Sequence, residues 1–180
     1  MNILKEKYIK EAMPKMKEKF GYKNNMAVPK LEKAVLNVGI PAQKSDKQFQ
    51  ELILKTLSRV TGQRAVTTKA RKSISSFKVR EGSVIGAKVT LREEKMYSFL
   101  NKLIDLTLPN VRDFRGIPEK SVDRGGNLTL GVKEHIVFPE ISTDEVENLH
   151  GLEVSVTTTA KTREEGSELF RLLGFPFSKN

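Results

Sequence analysis

Apolar and polar positions recur with two periods along this 180-residue chain, and the switches between them mark out its elements. Ile3, Leu4, Tyr8, Ile9, Met13, Met16 and Phe20 fall at helical spacing and predict a helix over residues 2–20. Pro14 should kink it, and Gly21 should end it. From Leu31 to Gly39 the period drops to two: Ala34, Leu36 and Val38 share one face, and Lys33, Val35 and Asn37 the other. Ser45-x-x-Gln48 reads as a capping box opening a helix whose apolar face is Phe49, Leu52, Ile53, Leu57 and Val60, with Gly62 as its stop. Strands are expected near 64–68 and 87–92, the second with Ala87, Val89 and Leu91 inward and Lys88, Thr90 and Arg92 outward. A helix over about 93–107 turns Met96, Phe99, Leu100, Leu103 and Ile104 inward and stops before Pro109. Residues 109–127 read as an extended loop. Two more strands are expected around Leu128–Val132 and Glu153–Thr159. Thr162-x-x-Glu165 caps a last helix that runs through Leu173 to a Gly174 stop.

Helices and strands intermix without strict alternation, and the strands are two-sided. That pattern predicts an α+β fold: a largely antiparallel sheet with helices packed on one face and an open basic face. The chain shows no repeat and no linker, so residues 1–180 are expected to form a single domain.

Charge adds a direction. The stretch 61–92, TGQRAVTTKARKSISSFKVREGSVIGAKVTLR, holds eight basic residues and one acidic, +7 of the chain's net +10. Residues 133–180 hold five basic against nine acidic. One part of the chain is thus suited to a polyanion and another to solvent or a basic partner. The longest apolar runs are too short to span a membrane, and the N-terminus lacks the apolar core of a secretory signal. With no cysteine in the chain, disulfides and thiolate metal sites are excluded. A cytoplasmic chain without cofactor is expected.

Catalytic chemistry is hard to assemble from these residues. His135 and His150 stand far apart in sequence, at no ligand or triad spacing, and are expected to pack or lie at the surface. Glu93-Glu94 opens a helix, where carboxylates favour the dipole. Gly82-x-x-x-Gly86-Ala-Lys lacks the Gly-Lys-Ser/Thr of a phosphate loop. An RNA-modifying or RNA-cleaving enzyme is therefore disfavoured.

The outward strand positions suit RNA better. Lys33, Lys88 and Arg92 can neutralise phosphates, as can Arg64 at the mouth of a third strand. The Asn37 and Gln63 amides both donate and accept, matching a base edge or a ribose 2′-OH, and Thr90 adds a hydroxyl. No aromatic occupies these positions, which argues against a stacking platform for single strands. Between the strands, a projecting basic loop at about 69–86 carries Lys69, Arg71, Lys72, Ser73, Phe77, Lys78 and Arg80. Few apolar residues anchor it, so it is expected to be mobile.

Five ordered segments carry a resemblance over nearly the whole chain: PKLEKAVLNVGI at 29–40, the stretch 61–92, LPNVRDFRGI at 108–117, IVFPEI at 136–141 and VTTTAKTREEGSELFRLLGFPF at 156–177. Together they resemble the bacterial ribosomal protein L5 family. The resemblance implies a component of the large ribosomal subunit that binds 5S rRNA at the central protuberance and touches 23S rRNA. It also implies contact with P-site tRNA and a bridge to a small-subunit head protein. Asn37 and Gln63 match positions associated with 5S rRNA, and Lys33 and Thr90 lie on the same surface. Lys72–Gly82 matches the loop that approaches tRNA. Arg112, Asp113, Phe114 and Arg115, with the acidic region Glu134–Asp144, match the inter-subunit side. The chain departs from many members at Asn110, where they carry Arg, and at Ala65, where they carry Pro. Off the ribosome it is expected to be a monomer. The alternative function is a free-standing RNA chaperone or translational regulator.

Overall fold

Five strands form one open antiparallel sheet in the order β2-β3-β1-β5-β4, and with the helices they make the α+β fold that the two periods predict. The computed structural model describes residues 2–41, 46–141 and 149–178. The strands are β1 Leu31–Gly39, β2 Val66–Lys69, β3 Val84–Leu91, β4 Leu128–Val132 and β5 Leu152–Thr158. The chain gathers into two compact units, Met1–Ala34 with Arg92–Leu130 and Ser155–Asn180, and Val35–Leu91 with Gly131–Val154.

In the first unit the N-terminal helix is built in three pieces: α1 Ile3–Lys7, a π-helical run Tyr8–Ala12, and α2 Met13–Phe20. The Asn2 side chain caps it by accepting from the Leu4 N–H at 3.1 Å. Pro14 stands near the start of α2 but inside this continuous helical run, so its missing N–H leaves one intrahelical bond unmade. Ahead of it the Met13 N–H reaches back five residues to the Tyr8 carbonyl. This wide turn relieves the clash expected at the proline, so the helix is widened rather than broken. A π run also turns less per residue, which keeps positions four apart in line. Leu4, Tyr8, Ala12 and Met16 consequently form the buried stripe, while Ile3 (72% exposed) and Ile9 (43%) fall outside it, against the expectation from their spacing. Gly21 ends α2 at φ +69°.

The helix expected over 93–107 has the same construction. Regular α4 covers Glu93–Lys102, a π run continues over Leu103–Thr107, and a 3₁₀ turn over Leu108–Asn110 takes in Pro109. Met96, Phe99, Leu100 and Leu103 are buried as expected, together with Tyr97 and Leu108; Ile104 is only half-buried. The last helix, α5 Arg163–Leu173, begins where Thr162 Oγ1 accepts from the Glu165 N–H and ends at Gly174 with φ +99°. Its Gly166 lies against the Gly126 turn so closely that a Cβ would fall 2.4 Å from the Gly126 Cα.

In the second unit, α3 Lys47–Thr61 buries Ile53, Leu57 and Val60, while Phe49 and Leu52 are half-buried. Ser45, the expected cap, lies outside the described residues; the position before the helix is Asp46, whose side chain makes no capping bond. Strands β2 and β3 pair in the register Val66↔Lys88, Thr67↔Ala87 and Thr68↔Gly86, with a bulge between Thr68 and Lys69. His135 and His150 are buried and stacked, with ring centroids 4.0 Å apart, and the edge of Phe49 meets His150. They are packing residues.

Candidate nucleic-acid interface

Alternation places the candidate side chains. On β1, Ala34, Leu36 and Val38 are buried, Asn37 is exposed, and Lys33 and Val35 are half-buried. On β3, Ala87, Val89 and Leu91 are buried, Lys88 is exposed and Thr90 half-buried. Directly opposed residues of an antiparallel pair share a face, so Val66 and Thr68 of β2 join Lys88 and Gly86 on the open side. Val66 stands outside the residues expected from the sequence, although the period of two beginning at Ala65 marks it. Gly86 fits there because it has no side chain: a Cβ would meet the Val38 carbonyl at 2.7 Å and Thr68 Oγ1 at 2.9 Å.

The two amides differ. Asn37 is exposed on its strand. Gln63 is half-buried, and its Nε2 donates to the Thr90 carbonyl at 2.9 Å. It ties the segment before β2 to the end of β3, so this donor serves the fold. Arg64 and Lys88 are exposed with no ion pair among the described residues, so their charge is available to phosphate. Within the first unit, Arg92 has an acidic neighbour, Glu32, at 3.7 Å. Both groups are about half exposed, and such a pair is weak enough to exchange for a phosphate.

Strand pairing limits the basic loop to residues 70–83, since Lys69 belongs to β2 and Val84–Gly86 to β3. The loop is a small hairpin. Ala70 and Ser83 close its base through Ala70 N–H to the Ser83 carbonyl (2.8 Å), and Gly82 donates to the Ala70 carbonyl (3.0 Å). Further out, Ile74 and Val79 pair in an antiparallel bridge around a 3₁₀ turn at Ser75–Phe77, with Lys78 at φ +53°. Ser73 Oγ accepts from the Glu81 N–H at 2.9 Å, so this hydroxyl serves the loop's own turn. Lys69, Arg71, Lys72, Phe77, Lys78 and Arg80 are all exposed.

The third group lies in the first unit. Arg112, Asp113 and Arg115 are exposed and Phe114 half-buried, in a turn closed by Phe114 N–H to the Val111 carbonyl, with Asp113 at φ +56°. Its exit is pinned by buried Ile117, whose N–H donates to the Pro176 carbonyl at 2.7 Å and whose carbonyl accepts from the Ser178 N–H at 3.0 Å. Gly116 (φ +100°) permits this approach; a Cβ there would strike the Ser178 backbone at 2.5 Å. Of the acidic region at 134–144, the described part ends at residue 141, with Glu134 half-buried and Glu140 exposed.

Among the described residues no group of three or more His, Cys, Asp or Glu could hold a metal ion, and no helix is long and apolar enough to cross a membrane. The geometry defines a class: an α+β chain that offers cationic and amide groups on an open sheet face, with further cations on a strand-to-strand hairpin. Two family models match it, ribosomal protein L5 over residues 24–80 and the C-terminus of the same ribosomal family over residues 84–177. The large ribosomal subunit protein uL5 of Halothermothrix orenii is 50% identical over 99% of this chain and all of its own length. Those of Desulforapulum autotrophicum and Streptococcus pyogenes are 55% and 53% identical over 98% and 99% of this chain, and 99% of their own lengths. The chain belongs to the ribosomal protein L5 family.

Proposed function

We propose that the protein is a structural constituent of the large ribosomal subunit, not a catalyst, and that its open sheet face binds 5S rRNA and helps attach it to the central protuberance. In this reading the chain also contacts 23S rRNA. Arg71, Lys72, Lys78 and Arg80 of the hairpin approach P-site tRNA, and the Arg112–Arg115 turn joins a bridge to a small-subunit head protein. The carrying observation is the exposed Lys88, with no ion pair among the described residues, on a β3 position one strand away from exposed Asn37 on β1, in a chain whose relatives are named large ribosomal subunit protein uL5.

Such a face works by preformed shape. Strand-borne Lys and Arg neutralise phosphates, and Asn37 with Thr90 supplies hydrogen bonds to sugar or base edges. If about five phosphates are neutralised, log K should fall against log salt with a slope of roughly −3.5 to −4.5. Filter binding with purified 5S rRNA tests the reading. Asn37→Ala should weaken the complex by about 1–3 kcal/mol, the range for a lost buried hydrogen bond, without unfolding the protein. Unchanged affinity would remove the sheet face from consideration. Protein found free of ribosomes in a sucrose gradient would favour an independent RNA chaperone or regulator instead.

A further inference from the structure

The concave side of the hairpin has a chemistry that its cations do not explain. Together with Ile40, Pro41 and Ile85 the hairpin lines a groove of about 1080 Å³. Ile74, Phe77, Val79, Ile40 and Ile85 make its surface apolar. Phe77 is 70% exposed, Ile74 46% and Ile85 39%. A single exposed apolar side chain is ordinary. Three large ones lining one concavity form a patch, and patches of that kind mark places where something docks. The floor is held in shape, because Ile40 is buried and its N–H donates to the Ile85 carbonyl at 2.8 Å.

Lys69, Arg71, Lys72 and Lys78 surround this apolar floor, and no carboxylate lines it among the described residues. The occupant should therefore be acidic at its edges and apolar at its centre. The volume is at or above the ~300–1,000 Å³ of small-molecule sites, so a stretch of chain fits better than a metabolite. Nucleic acid matches the rim but not the floor. Reading bases takes amides or several aromatic faces, whereas among the described residues the floor is aliphatic apart from Phe77 and no Asn or Gln lines it.

We propose that the groove docks an acidic peptide segment of a partner protein, with aliphatic or aromatic anchors on Ile74, Phe77 and Ile85 and carboxylates on the surrounding Lys and Arg. Lys72 and Lys78 also belong to the surface proposed for tRNA. The peptide and that RNA therefore exclude one another.

The probe is a short synthetic peptide alternating glutamate with leucine and carrying a terminal tryptophan, a residue this chain lacks. Its fluorescence is titrated with the full-length chain. Saturable binding is expected. Phe77→Ser combined with Ile74→Ser should weaken it at least about tenfold, as should Lys78→Glu, while Lys10→Glu on the N-terminal helix changes nothing. These side chains are exposed, so unaltered circular dichroism accompanies the loss. Equal binding of a peptide with serine in place of leucine would overturn the proposal in favour of charge alone. So would undiminished binding by the double variant. An RNA oligonucleotide that occupies the groove and loses as much affinity in the double variant would reassign it to nucleic acid.

Discussion

The sheet face and the hairpin of the second unit carry the same kinds of charge in two different constructions. On the face, each functional group occupies a strand position whose register is set by neighbouring strands, and the surface is assembled by buried contacts. Gln63 is committed to the Thr90 carbonyl, and Gly86 is pressed against Val38 and Thr68. On the hairpin, the cations stand on fourteen residues between β2 and β3, held by the Ala70–Ser83 closure and the Ile74–Val79 bridge. Groups already held in place lose little freedom on binding and select by shape. Groups on a lightly braced loop are ordered at the moment of contact and select more by charge.

The largest test of this difference is charge reversal. Arg64→Glu with Lys88→Glu should lose two charge-assisted contacts, about 3 kcal/mol or more of 5S rRNA affinity, which is over 100-fold. Replacing Lys72, Lys78 and Arg80 with Ala should cost less than about threefold in a gel shift at the same salt. Comparable losses would erase the distinction.

Next comes backbone packing. Gly86→Ala should destabilise the protein by about 1–3 kcal/mol in a urea melt, because the added methyl meets a carbonyl and a hydroxyl. Gly82→Ala has open space around it and only a positive φ (+81°) to strain. It should cost about 1–2 kcal/mol and leave 5S rRNA binding intact. The reverse order of effects would mean that the hairpin is the more tightly built region.

Gln63→Ala separates the two roles of a residue that helps build the face. It should lower stability by about 1 kcal/mol through the lost bond to Thr90, and it should weaken RNA binding through displacement of the end of β3. A variant with full stability but weakened binding would return Gln63 to direct contact.

The smallest effect provides a reference outside both regions. The buried Tyr8 phenol donates to the Pro29 carbonyl at 3.1 Å, and burial, with Tyr97 nearby, pushes its pKa from 10.0 up to about 12. Below pH 10 both folded and unfolded chains keep this proton. As pH rises toward 12 the unfolded chain releases it first, and the stability it contributes is lost. Tyr8→Phe should cost up to about 1 kcal/mol at neutral pH, shallow the alkaline limb of a pH–stability curve, and leave both proposed RNA surfaces unaffected.

The sequence made the strand faces and helix ends legible because their determinants are local. Ala34-x-Leu36-x-Val38, Ala87-x-Val89-x-Leu91, the Thr162 cap and the glycine stops at 21, 62 and 174 each act within a few residues. What it hid depends on distant partners. Gln63 reads as an outward amide until Thr90, 27 residues later, accepts from it. Two histidines with no useful spacing prove to be stacked. The exposure of Ile3 and Ile9 follows from a wide turn set beside Pro14, which a uniform helical period does not contain. Ile74, Phe77 and Val79 stand out as apolar residues in a polar loop, but their common groove with Ile85 requires the bulged β2–β3 pairing to be known.

The bonds between Ile117 and the Pro176–Ser178 segment have a consequence in time. The turn bearing Arg112–Arg115 is synthesised well before the segment that pins it, because Ile117 and Ser178 lie 61 positions apart. At about 5–20 residues per second of translation, roughly 3–12 s pass before the clasp becomes available. During that interval the bonds that pin Ile117 cannot form.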